Sequence, residues 1–228
     1  MAAAPGQESI IRDGVPALVS RKKHVVMLKP NSRVIDGSAR PAFTIVVNNM
    51  SGAPHDLLES SISARQNVEG KHVAVRVHRY DELVQEEKDK QAVQAFAAVL
   101  SGTARAMSAA NAGYVTSTGG VNTYGYGGRA YGTYTATTYD PLRAQIAQQA
   151  ANAETANDFD RLRIEGERNL SGLQQTILKD NTVLPGEWYG GTVVLDRLTH
   201  PTKGPTEYIV QVEFAGEMHE FAVKQVAS

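Results

Sequence analysis

The 228 residues contain no cysteine, which excludes disulfides, zinc–thiolate sites, iron–sulfur clusters and thiol nucleophiles. No stretch approaches the roughly 20 consecutive apolar residues that a membrane-crossing helix needs, so no transmembrane segment is expected. Neither sign of charge is in excess. Lys and Arg number 23 against 24 Asp and Glu, for a formal net charge of -1. The concentrated basic patch that phosphate neutralisation requires is missing, and no nucleic acid is expected as a partner. The run Arg21-Lys22-Lys23 is short and reads as a solvated strand edge. The first residues, Met-Ala-Ala-Ala-Pro-Gly-Gln-Glu, have neither a basic nor an apolar leader segment. They read as a mature end behind an added Met, with any targeting segment already removed.

What is present is strand-like at both ends. Residues 15–28 are rich in Val and Leu and end at Pro30-Asn31-Ser32, which suggests a first strand. Phe43, Ile45 and Val47 alternate at period two, and Asn49-Met-Ser-Gly supplies a turn. Residues 56–66 carry a weaker pattern. Lys71 to Arg79 alternates cleanly, with Val73, Val75 and Val77 inward and His72, Arg76 and His78 outward. After residue 180 come Tyr189 to Leu195, then Glu207 to Phe214 with Tyr208, Val210, Val212 and Phe214 on one side. A hairpin at Ala215-Gly216-Glu217 leads into Met218 to Lys224. Four strands before residue 80 and three after 179 make seven. A three-stranded sheet of about 48 residues is a marginal core by itself. The expectation is therefore one mainly β domain with an α insertion: an immunoglobulin-like seven-stranded β-sandwich interrupted by a long helical hairpin. Its first part covers residues 1–80, the insertion 81–178 and its last part 179–228.

From Asp81 to about Ala112 the chain is built of good helix formers. Leu83, Ala92 or Val93, Phe96, Val99 or Leu100, and Met107 form an apolar stripe at three-to-four-residue steps. Gly102 and Gly113 are places for a bend or a stop. Asp140-Pro141 is a strong helix start, with Asp as N-cap and Pro in the first turn. Helical composition then runs to about Leu178, with Ala144, Ala147, Ala150, Ala151, Ala153 and Ala156 in its first half. Gly166 and Gly172 are candidate kinks. The Ala-rich face permits close helix–helix approach, within one chain or between copies as a homo-oligomer.

Candidate chemistry is thin. Gly125-Tyr126-Gly127-Gly128 resembles a phosphate-cradling loop only superficially, since no Lys-Ser or Lys-Thr follows and no βαβ unit surrounds it. The histidines are His24, His55, His72, His78, His200 and His219. His72 and His78 stand about 20 Å apart on one strand, too far to share a metal without help from another strand such as Glu217 and His219. They read as solvent-facing strand histidines, and no metal or other cofactor is expected. Glu82, Glu86, Glu87 and Asp89 decorate a helix surface near its amino terminus rather than forming an acid–base pair. The segment 113–139 stands out. It holds six of the nine tyrosines, with glycine and threonine between them, and reads as a long functional loop or a flat β-ribbon at the hairpin tip. Tyrosine gives contact area at low entropy cost, so Tyr114, Tyr124, Tyr126, Arg129, Tyr131, Tyr134 and Tyr139 are the candidate partner-binding residues.

The run Tyr131-Gly-Thr-Tyr-Thr-Ala-Thr-Thr-Tyr-Asp-Pro-Leu-Arg-Ala-Gln precedes a long Ala/Gln helix and then Asn181-Thr-Val-Leu-Pro-Gly-Glu-Trp-Tyr-Gly-Gly-Thr-Val. Together they resemble a group of little-characterised proteobacterial envelope proteins, many of them secreted proteins or lipoproteins. The strands at Val15-Pro-Ala-Leu-Val-Ser and Phe43–Asn49 are similar too, so the likeness covers most of the chain. The resemblance implies export to the periplasm or outer surface, an immunoglobulin-like sandwich and no known catalytic residues. A lipoprotein would need a lipidated cysteine, and this sequence has none. The expected function is non-catalytic binding or assembly, with a protein or envelope glycan as partner. Two alternatives are an envelope hydrolase using carboxylates and histidines on the sandwich, and a structural subunit of a secretion or surface assembly.

Overall fold

The structure, a computed structural model, describes residues 7–12, 14–32, 39–68, 71–125, 128–197 and 206–225. The backbone divides into two compact units, one of Met1–Gln85 with Leu170–Ser228 and one of Glu86–Asn169. The chain is mainly β, with two helices inserted among antiparallel sheets.

In the first unit, β1 (Gln7–Arg12), β2 (Val15–Arg21), β3 (Val25–Pro30), β4 (Ala42–Asn48), β12 (Trp188–Leu195) and β8 (Val77–His78) make a six-stranded sheet in that order. A second sheet runs β14 (Glu217–Gln225), β13 (Thr206–Phe214), β6 (Ile62–Val68) and β7 (Lys71–Val75). A short pair joins β11 (Asn181–Val183) to β5 (His55–Leu57). All these pairings are antiparallel. One hydrophobic cluster draws on both larger sheets: Leu28, Phe43, Ile45 and Val47 from the first, Ala64, Tyr208, Val210, Phe214, Phe221 and Val223 from the second. The period-two alternation in β4 and β13 selects these buried faces, because successive side chains of a strand point to opposite sides.

Strand number is where the sequence reading departs from the structure. Among the described residues outside the insertion there are twelve strands rather than seven. The segment 15–28 turns at Lys22–His24 into a hairpin, where Lys22 N donates to His24 O at 2.9 Å. Residues 56–66 are split by a 3-10 turn at Glu59–Ser61. The strand expected at 71–79 breaks at Arg76, so β7 joins one sheet and β8 the other. His78 is consequently not an outward residue. Its side chain is 9% exposed and lies 3.6 Å from Asp196 and 3.7 Å from Glu82.

Tyr208 is fully buried, edge-on to Phe43 at 6.1 Å, and its hydroxyl meets no hydrogen-bond partner among the described residues. Burial pushes its pKa up to about 12. A buried hydroxyl without a partner costs about 1–3 kcal/mol. Tyr208→Phe is therefore expected to stabilise the protein by about 1 kcal/mol, read as a higher urea midpoint with an unchanged m-value.

The second unit contains most of α1 (Tyr80–Asn111) and α2 (Pro141–Thr176), joined by β9 (Tyr114–Gly125) and β10 (Gly128–Tyr139). The Asp140 carboxylate accepts from the N–H groups of Leu142 at 3.0 Å and Arg143 at 3.2 Å, so the expected N-cap is in place. α1 ends at Asn111, just before Gly113, whereas Gly102, Gly166 and Gly172 do not interrupt either helix. Gly102 sits where a Cβ would lie 2.9 Å from Thr155 Cγ2, and Gly166 where one would lie 2.6 Å from the Gln91 amide carbon. They are points of close approach, not breaks.

Candidate partner-binding surface

The tyrosine-rich segment is an antiparallel ribbon, not an irregular loop. Asp140 N donates to Gly113 O at 2.7 Å, and twelve residue pairs follow, from Tyr139 opposite Tyr114 to Gly128 opposite Gly125. Directly opposed residues of an antiparallel pair share a face. Tyr114, Tyr124, Arg129, Tyr131 and Tyr139 therefore stand on one face, with Thr116, Thr118, Thr133, Thr135 and Thr137 between them. Tyr134 is on the other face, and Tyr126 lies outside the described residues.

The face has two aromatic ends. At the helix-proximal end the Tyr114 and Tyr139 rings lie 5.0 Å apart, and Tyr139 packs where a Cβ on Gly113 would stand. At the other end the Arg129 guanidinium lies 5.1 Å from the Tyr124 ring centroid, a cation–π pair. Tyr131 leans over Gly120 and Tyr134 over Gly119, so each glycine is roofed by a ring from the neighbouring strand. Tyr124 and Tyr131 remain 71% and 73% exposed, which leaves their area open to a partner.

The two helices meet through small residues. Ala109, Ala144 and Ala151 are buried, Gly102 faces Thr155, and Gln91 Nε2 donates to Gly166 O at 3.2 Å. Arg105 closes the seam with Asp158 at 2.7 Å, and its guanidinium holds the Asp158 carboxyl below the usual carboxylate range. The apolar stripe read from the sequence is not this seam. At 3.6 residues per turn, Val93, Phe96, Leu100 and Met107 fall within roughly 60° of one another on the side away from it. All four are exposed, Phe96 at 64%. On α2 the corresponding far side carries Leu142, Ile146 and Ile164, also exposed. Helices normally turn their large apolar side chains to the core; here alanine and glycine take that place.

Two polar features occupy the first unit. A cleft of about 340 Å³ is lined by Glu59, Ser60, Arg79, Tyr80, Asp81, Lys179 and Asp180. Burial raises the Glu59 carboxyl above its ordinary value, although the Tyr80 N–H donates to it, and Lys179 Nζ lies 4.4 Å from the Tyr80 ring centroid. The second feature gathers Ser20, His219 and Glu217. His219 Nδ1 and Ser20 Oγ are 3.0 Å apart, and His219 Nε2 is 3.7 Å from Glu217 Oε2. Glu217 also accepts from the N–H groups of Lys23 and His24, both at 3.1 Å. His219 is fully buried and Ser20 is 4% exposed, and neither lines the cleft. The solvent-facing reading of the strand histidines fails for His78, and His219 and His24 are buried too, His24 against Phe214 and His55. It holds for His72, while His200 lies outside the described residues. Among the described residues no group of three or more His, Asp or Glu is placed to hold a metal ion.

Burial lowers the His219 pKa below 6.5, and nearby Lys22 adds to the shift. The unfolded chain then binds this proton at a higher pH than the folded one. Stability is full above about pH 6.5 and falls as the pH drops toward the folded value. Burial raises the Glu217 carboxyl, but its two backbone donors and the histidines outweigh this and hold it low, so its own loss begins only below about pH 4.5. The urea midpoint is expected to fall between pH 7.5 and 5.5, and His219→Gln to flatten that fall. An equal slope in the variant would assign the effect to other groups.

Among the described residues no helix is long and apolar enough to cross a membrane. Compared with protein-family models, curated proteins and solved structures, the chain finds no match.

Proposed function

We propose that this chain is an exported, non-catalytic binding or assembly protein of the bacterial cell envelope, with the helical hairpin and its tyrosine-bearing ribbon as the contact element. The observation that carries this reading is the single exposed ribbon face holding Tyr114, Tyr124, Arg129, Tyr131 and Tyr139. Tyrosine and arginine are the side chains on which interface energy concentrates. The scaffold is an immunoglobulin-like sandwich on this proposal, and strand order supports it. The run β3-β4-β12-β8 matches the A-B-E-D order of that fold, and β14-β13-β6 matches G-F-C with β7 as an extra strand beside C. The insertion then falls between the D and E strands. Export rests on the resemblance to envelope proteins.

The test uses purified peptidoglycan and a detergent-solubilised envelope fraction as probes, with immobilised full-length chain. The double variant Tyr124→Ala/Tyr131→Ala is expected to weaken capture at least tenfold, since two exposed aromatic anchors contribute about 2 kcal/mol or more. Equal capture by variant and parent would remove the ribbon face from the contact. A structural-subunit role is favoured by a separate observation, the two unpaired edges of the ribbon.

A further inference from the structure

We infer that the partner of the hairpin is a second copy of this chain. Copies pack head to tail, the outer face of α1 against the outer face of α2 in the next copy, and their ribbons join edge to edge into one closed antiparallel barrel. The inference deepens the assembly reading above and rests on it.

Two independent features call for the same occupant. The first is the ribbon. It is a two-stranded sheet of twelve-residue strands, so β9 and β10 each leave one whole edge of N–H and C=O groups without a ladder partner. An isolated two-stranded hairpin is marginal in water, and long flat edges are usually blunted with lysine, proline or bulges. The described ribbon residues include no proline and no lysine, and Arg129 is their single charge. Nothing in them repels an identical ribbon, and the β10 edge of one copy is antiparallel-complementary to the β9 edge of the next. Each junction would form about one backbone hydrogen bond per strand residue.

The second feature is the helix pair. Its seam is built of small residues, while Val93, Phe96, Leu100 and Met107 on one far side and Leu142, Ile146 and Ile164 on the other are exposed. These two faces lie on opposite flanks of the pair. A lateral repeat covers both, and it continues the up–down alternation of α1 and α2 as well as that of β9 and β10. A two-fold pairing through α1 would leave the α2 face and one ribbon edge bare. A head-to-tail contact that closes leaves none, because closure removes every edge.

Charge placement agrees. Within the chain the helices are in register as Gln91 beside Gly166 and Gly102 beside Thr155. If the intermolecular contact keeps that register, Val93 stands level with Ile164 of the next copy, and Asp89 level with Arg168, opposite in sign.

The absence of cysteine makes the test direct. The full chain carrying Val93→Cys and Ile164→Cys together is oxidised and run without reductant. Both sites are exposed, and far-UV circular dichroism checks that the fold is unchanged. The expected result is a ladder of covalent multimers that reductant collapses, with either single variant giving no cross-linked species. Light scattering on the unmodified chain, in buffer and in mild detergent, is expected to reach one fixed integer multiple of the 24.6 kDa monomer as concentration rises. A monomer at every concentration without a ladder overturns the inference. Dimers from Val93→Cys alone also overturn it, in favour of two-fold pairing. If the chain is monomeric yet its envelope capture still depends on Tyr124 and Tyr131, the contact-element reading stands and only the self-assembly falls.

Discussion

Gly190→Ala is expected to lower the thermal midpoint by roughly 6–12 °C, one of the two largest losses foreseen for a single substitution in this chain. Gly190 pairs with Val46, where β12 lies beside the central strand β4. A Cβ there would stand 2.2 Å from the Ile45 carbonyl oxygen and 2.8 Å from Val46 Cα. Both are backbone atoms of a strand whose Ile45 and Val47 are fully buried, so they have no room to yield. Overpacking costs about 1–3 kcal/mol, and a clash with backbone atoms that must move lies at the upper end, about 3 kcal/mol. For a chain of this length each kcal/mol moves the midpoint by about 2–4 °C. Gly191 is constrained from the other side, with Leu178 N and Cα 2.6 Å from its would-be Cβ. Gly52 has nothing within 4 Å and serves as the control. Gly52→Ala should shift the midpoint by no more than a degree or two. An equally silent Gly190→Ala would mean that β12 does not lie against β4 at this register.

Phe214→Ala should cost about 3–5 kcal/mol, the range for removing a buried aromatic side chain. Phe214 ends β13 at 1% exposure, and its ring meets His24 at 5.2 Å and His55 at 6.2 Å, both edge-on. The loss is therefore more than a cavity, because the rings that position the β2–β3 turn lose their shared contact. His24 Nδ1 accepts from Met50 N at 3.3 Å, and that bond depends on the ring staying in place. Chemical denaturation measures the cost directly. Phe214→Leu should recover more than half of it, whereas a loss below 1 kcal/mol in the alanine variant would contradict the buried position.

The parts of this fold that could be read in advance are those with strict periodicity. Phe43, Ile45 and Val47, and Tyr208 through Phe214, alternate so regularly that their buried faces follow from residue type alone. Asp140-Pro141 marks the helix start equally well. The strand breaks were not legible. Lys22–His24 and Arg76 carry no glycine or proline; the first turns because β2 pairs with β3 directly after it, the second because β8 pairs with β12, more than 100 residues later. The Ala-rich side of the seam was legible on α2, where Ala144 and Ala151 are buried; on α1 it was not, because alanine and glycine contribute little to an apolar stripe although their small size decides how closely two backbones pack. For the tyrosines, composition pointed to the segment but not to a shared face. That face depends on the pairing of Tyr114 with Tyr139, and a shift of one residue would have scattered it. His219 shares its parity in β14 with Phe221 and Val223, a signal that pattern alone carried and that the polar character of histidine concealed.

The insertion also sets a timetable for synthesis. Val47 of β4 pairs with Tyr189, and Ala64 of β6 pairs with Val210, so each central strand waits for a partner about 140 residues later. At about 5–20 residues per second, the ribosome takes roughly 7–28 s to deliver that partner. Through this interval the first half of the sheets is exposed with its hydrophobic faces uncovered, while the hairpin between them, held by local contacts, is free to fold first. The nascent chain thus carries a finished helical element on an unfinished scaffold, and the demand for chaperone protection falls on residues 1–80 rather than on the insertion.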